Sequence, residues 1–164
     1  MDRKEALKEK ILKAQEAGDI AALYVLEQEA SELFGEQEQV AYYANILELA
    51  LENLTDALGS ARRMKMDEVQ DFATLRALYE YAIEHYSAGK ATDAAALFEI
   101  LAGLTEDARF SDAMRRHQQC AERLSDFEQF LDDAADLDAT QRNGTFYISA
   151  FTRAENDACE ENGE

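Results

Sequence analysis

The chain has 164 residues, 47% of them apolar and 31% charged, which suffices for a packed core and makes intrinsic disorder of the body an unfavourable reading. Its formal charge of −19, from 16 basic and 35 acidic side chains, argues against binding to nucleic acid or an anionic membrane, because both need Lys and Arg to neutralise phosphates. An acidic surface of this kind keeps a protein soluble, attracts a basic partner or imitates DNA.

Composition points to helices. Proline is absent, only 7 residues are Gly, and Ala, Leu, Glu and Gln dominate. The opening stretch MDRKEALKEKILKAQEAGD contains no long apolar run, so neither a signal peptide nor a membrane span is expected there. Ala6, Leu7, Ile11, Ala14 and Ala17 make a first helical stripe that Gly18-Asp19 closes. Leu23, Leu26, Ala30, Leu33 and Phe34 make a second, closed by Gly35, and a third helix runs through Val40, Tyr43, Ile46, Leu47, Leu51, Leu54 and Leu58. Gly59-Ser60, followed by Arg62, Arg63 and Lys65, reads as a hinge, its basic side chains offsetting a helix dipole.

Beyond the hinge the plan repeats. Val69, Phe72, Leu75, Leu78, Ala82 and Tyr86 share one helix, Ala94, Leu97, Phe98 and Leu101 the next, and a third runs from Ser111 past Met114 to Leu124. The fold class expected is therefore all-α. The helices form an antiparallel helix-turn-helix array of two three-helix units plus C-terminal helices, divided at 1–60, 66–124 and 125–164. In the last part, Asn143-Gly144 before TFYISAF allows a hairpin, but Tyr147, Ile148, Phe151 and Ala154 suit a helix, which is the reading taken. Residues 157–164 read as a frayed acidic tail.

No set of residues nominates itself for catalysis. The two histidines, His85 and His117, exhaust the neutral-pH bases, and neither a phosphate-binding glycine loop nor an HExxH helix occurs. His117 and Cys120 stand at adjacent-turn spacing, yet one such pair does not close a zinc site. Asp136 and Asp138 begin a calcium-loop pattern that fails at Gln141, where Gly belongs, and at Tyr147, where Glu belongs. We therefore expect no enzyme, no metal and no cofactor. Cys120 and Cys159 are too few for a disulfide scaffold, so reduced thiols in a cytoplasmic protein are expected.

From residue 78 the chain reads LYEYAIEHYSAGKATDAAALFEILAGL. This stretch resembles a tetratricopeptide helix-turn-helix, with Ala82 and Ala94 as small packing positions, Gly89 at the turn and Phe98 between the helices; Leu78 stands where that repeat usually has Trp. Leu78, Tyr79, Ala82, Tyr86, Gly89, Lys90, Asp93, Ala94, Phe98, Leu101 and Leu104, followed by Asp107, Arg109 and Phe110, are similar to the first repeat of type III secretion translocator chaperones. In that family three repeats form a concave groove that holds an extended segment of a secreted, membrane-active protein. The resemblance implies a cytoplasmic, TPR-like protein-binding module, a chaperone or regulator for a secreted protein, with Tyr79, Ile83 and Tyr86 facing the partner. Two other readings stand beside it: a structural module that pairs two copies through its aromatic and leucine faces, and an acidic decoy for a DNA-binding protein.

Overall fold

The structure, a computed structural model, describes residues 2–124 and 126–152. Within these residues the chain is all-helical, with nine helices and no strand. Two compact units divide the described residues: the first comprises residues 2–62 and 66–77, the second residues 63–65 and those from Leu78 on. No helix among the described residues is long and apolar enough to cross a membrane.

The first unit begins with α1 (Arg3–Glu16), capped by the Asp2 carboxylate, which accepts from the Glu5 N–H. Leu7, Ile11 and Ala14, spaced three to four apart, put one stripe of α1 in the core. Gly18, at φ 66°, turns the chain in the left-handed region that L side chains avoid. The stripe expected for one second helix is split at Leu26 into α2 (Ile20–Val25) and α3 (Glu27–Leu33). Leu26 keeps α-type angles (φ −86°, ψ 0°), so the break is a local tightening.

Asp19 caps α2 by accepting from the Ala22 N–H and also accepts from Gln70 Nε2 at 2.7 Å. These two bonds, the Gln70 one first, lower its pKa. Asp19→Ala removes the cap and the link to residue 70 together. A loss of about 1–2 kcal/mol is expected, readable as a shift in urea midpoint at unchanged m-value.

The long helix α4 (Glu36–Ser60) starts at Gly35, whose N–H donates to Glu38 Oε1. Tyr42, Ile46, Ala50 and Ala57 are its buried residues, and the Tyr42 hydroxyl donates to the Leu23 carbonyl. The helix runs straight through Gly59, so the expected hinge is not a break at that glycine. It ends at Ala61, in the left-handed region at φ 56°, and Arg62 pairs bidentately with Asp71 at 3.0 and 3.2 Å.

α5 (Val69–Ser87) gives its first half to this unit, through Asn53 Nδ2 donating to Thr74 Oγ1 and Arg76 pairing with Glu27 at 3.0 Å. Its second half, from Leu78, belongs to the other unit with α6 (Ala91–Leu104), α7 (Ala108–Arg123), α8 (Phe127–Asp133) and α9 (Leu137–Asn143). Gly89 turns between α5 and α6 at φ 83°. Residues 145–152 are not the helix expected from their apolar spacing. Gly144 caps α9 at φ 70°, and residues 145–152 are irregular: the chain bends at 146–147, where Thr145 Oγ1 meets Ser149 Oγ at 2.9 Å, and touches the loop after α8 through one isolated antiparallel bridge, Ala135 to Phe151.

Candidate functional site

The second unit is organised around Tyr79. Its ring lies 6.2 Å from Phe98, 5.3 Å from His117, 6.1 Å from Phe146 and 6.3 Å from Tyr147, measured between centroids. The elements that bring them together are the second half of α5, α6, α7 and the irregular segment 145–152. On α7, Phe110, Ala113, Met114, His117, Cys120 and Ala121 are buried at helical spacing, so His117 rides an apolar stripe and is delivered to the interior by the same periodicity that buries its neighbours.

A buried polar chain crosses this cluster. The Ile148 N–H donates to the Tyr79 hydroxyl at 3.0 Å, that hydroxyl meets His117 Nε2 at 2.9 Å, and His117 Nδ1 meets the Ala113 carbonyl at 2.6 Å. A carbonyl only accepts, so Nδ1 carries the proton; Nε2 is then the acceptor of the Tyr79 O–H. Every member is satisfied and the imidazole is neutral. Burial lowers the His117 pKa to about 4, and burial raises that of the Tyr79 hydroxyl.

Segment 145–152 is held by its backbone. Besides the Ile148 amide, the N–H groups of Ser149 and Ala150 both donate to Thr140 Oγ1 at 3.2 Å. The Thr152 N–H donates to the Ala134 carbonyl at 2.8 Å, and the Ala150 carbonyl accepts from the Asp136 N–H at 3.0 Å. Its side chains insert among rings: Tyr147 sits 5.0 Å from Phe110, and Phe151 lies 5.7 Å from His117 with the Arg116 guanidinium 5.5 Å from its ring. Helix side chains and one bridge thus supply the partners that a neighbouring strand would supply in a sheet.

Of the three residues expected to face a partner, Tyr79 is 4% exposed and Tyr86 is fully buried, its hydroxyl donating to the Leu124 carbonyl. Ile83 is half-buried. The face they share therefore carries the chain's own residues: Phe146 and Tyr147 at Tyr79, and Phe127 and Phe130 at Tyr86, 5.1 and 5.4 Å away. Ala82, Ala94 and Phe98 are fully buried, with Phe98 between Tyr79, Tyr86 and His117.

Sequence reasoning missed the pairing of His117 with Tyr79, the part of Thr140 and the segment itself; the available signal was the place of His117 on the apolar stripe of α7. Cys120 is fully buried. Cys159, Ala154 and residues 157–164 lie outside the described residues. Among the described residues no group of three or more His, Cys, Asp or Glu stands together as a metal site, and both nitrogens of His117 are engaged within the protein.

No protein-family model matches the sequence, and no curated protein or solved structure matches it either.

Proposed function

We propose that the protein is a non-catalytic, TPR-like protein-interaction module that holds an extended segment of another protein on the Tyr79 face of its second unit. One observation supports the reading: a non-helical segment of the chain, residues 145–152, already lies here, held by side-chain bonds to backbone amides and by ring contacts of Phe146, Tyr147 and Phe151. Recognition of an extended peptide uses the same two elements, main-chain bonds for affinity and pockets for selectivity. The segment in place is then a ligand supplied in cis, and a partner segment rich in aromatic and β-branched residues takes its position. The likeness to translocator chaperones suggests the client class: an apolar, extended or amphipathic stretch of a secreted protein, kept covered until it is used.

The test is exchange in trans. A chain ending at Gly144 is expected to keep its helical circular dichroism, to melt at a lower temperature, and to bind a synthetic TFYISAFT peptide saturably, recovering the lost stability. A scrambled peptide is expected to do neither. In the full chain, Tyr147→Ala weakens the cis contact and is expected to raise binding of the same peptide. A folded shortened chain that ignores the peptide, together with a Tyr147→Ala chain that gains no binding, sinks the proposal.

A further inference from the structure

The first unit carries a different surface, independent of the Tyr79 face. Along α4, Val40, Tyr43, Leu47, Leu51, Leu54 and Leu58 follow one another at intervals of three, four, four, three and four residues. Val40, Leu51 and Leu58 are eleven, then seven, residues apart, and Tyr43–Leu54 and Leu47–Leu58 repeat the interval of eleven. A period of 11 over three turns is 3.67 residues per turn, close to that of the α-helix, so these side chains line up almost parallel to the helix axis. The stripe is separate from the row Tyr42, Ile46, Ala50 and Ala57 that faces the core. Val40 is 66% exposed, Tyr43 41%, Leu51 36% and Leu58 60%, while Leu47 and Leu54 are half-buried.

The Tyr43 hydroxyl donates to Glu27 Oε2 at 2.7 Å, which fixes that ring at the edge of the stripe. From Val40 to Leu58 the row rises about 27 Å, five helical turns. Solitary exposed apolar residues are ordinary on a surface, whereas a continuous stripe of this length marks a docking site.

Charge identifies the occupant. The 25 residues of α4 contain no Lys or Arg, and Glu36, Glu48 and Glu52 stand exposed at the head of the stripe and along one flank. A ligand lying on the leucines meets negative potential along its side. An anionic bilayer is repelled by such a flank, and a second copy laid antiparallel about the middle of α4 sets Glu48 and Glu52 against themselves. We infer that the α4 stripe docks an amphipathic helix of a partner protein, apolar at three-four spacing and bearing Lys or Arg on the flank that faces Glu48 and Glu52. This is helix-on-helix recognition, in which leucine rows give contact area and flanking charges choose the partner.

Two synthetic helices of about six turns test this on the full chain. Both carry Leu at the spacing of the stripe; one has Lys on its flanks and the other Glu. By fluorescence anisotropy the Lys peptide is expected to bind about tenfold or more tighter than the Glu peptide, and to weaken as salt is raised. Val40→Asp with Leu58→Asp, both largely exposed, is expected to abolish binding at unchanged helical content. Glu48→Lys with Glu52→Lys is expected to invert the preference between the two peptides. Equal affinity for both peptides, or binding unaffected by the aspartates, overturns the inference. So does sedimentation of the free chain as a dimer that Leu58→Asp dissolves, since the stripe then belongs to a second copy.

Discussion

Tyr79→Phe is expected to destabilise the second unit by about 2–4 kcal/mol, although it removes a single oxygen and keeps the ring. The hydroxyl serves two buried groups at once, accepting from the Ile148 N–H and donating to His117 Nε2. Without it both are stranded away from water, and an unsatisfied buried polar group costs about 1–3 kcal/mol. Tyr79 is 4% exposed and His117 fully buried, so no solvent replaces the lost oxygen. Urea unfolding followed by circular dichroism gives the stability loss, and hydrogen exchange at the Ile148 amide locates it. Tyr81→Phe, on a half-buried ring packed beside His85, serves as the control, with a change within about 0.5 kcal/mol. If the two variants cost the same, the hydroxyl of Tyr79 is not what holds segment 145–152.

Acidification is expected to loosen the same unit before the other. Buried and neutral, His117 has a pKa lowered by desolvation to about 4, against an ordinary value of 6.5 once unfolded. As pH falls through 6.5 the unfolded chain takes up a proton that the folded chain refuses, so stability drops until the folded imidazole titrates near 4. That interval corresponds to roughly 3 kcal/mol. Protonation also turns Nε2 into a donor facing the Tyr79 hydroxyl, which already accepts from Ile148, and the polar chain loses its direction.

In the first unit the corresponding group is Glu38. Lys4 foremost, then the Gly35 N–H and Lys8, hold its carboxyl down at about 2. Its contribution is present above 4.5, the ordinary value, and is lost only as pH falls toward 2. Melting temperatures measured between about pH 7 and 4 are thus expected to fall, and His117→Gln to flatten that slope. An unchanged slope in the variant shows that the imidazole is not the group responsible.

Much of the fold is legible in the residues because helices announce themselves at short range. Leu7, Ile11 and Ala14 repeat at the helical period, and Asp2, Asp19 and Asp107 each precede a helix whose N–H groups they accept from. The break at Leu26 is invisible at that level, since the apolar stripe continues across it and only the packed helices decide it. Segment 145–152 misleads for a related reason. Tyr147, Ile148 and Phe151 have helical spacing, but aromatic and β-branched residues gain little from a short helix whose nucleation is costly. The Tyr79 hydroxyl, 69 positions away, and the Thr140 hydroxyl offer its amides partners that no local pattern reveals. Tyr79, Tyr86 and Phe98, which the resemblance singles out, come together in the interior of the second unit, and what covers them depends on contacts between distant parts of the chain.

The order in which a ribosome delivers these parts has a consequence. Ile148 trails Tyr79 by 69 residues, which at about 5–20 residues per second is a wait of roughly 3–14 seconds. Helices α5 to α7 are made first, so Tyr79 lacks the segment that covers it for that whole wait, and Phe110 and His117, made later, for a shorter part of it. A nascent chain in that interval presents Tyr79 before the segment that covers it has been made.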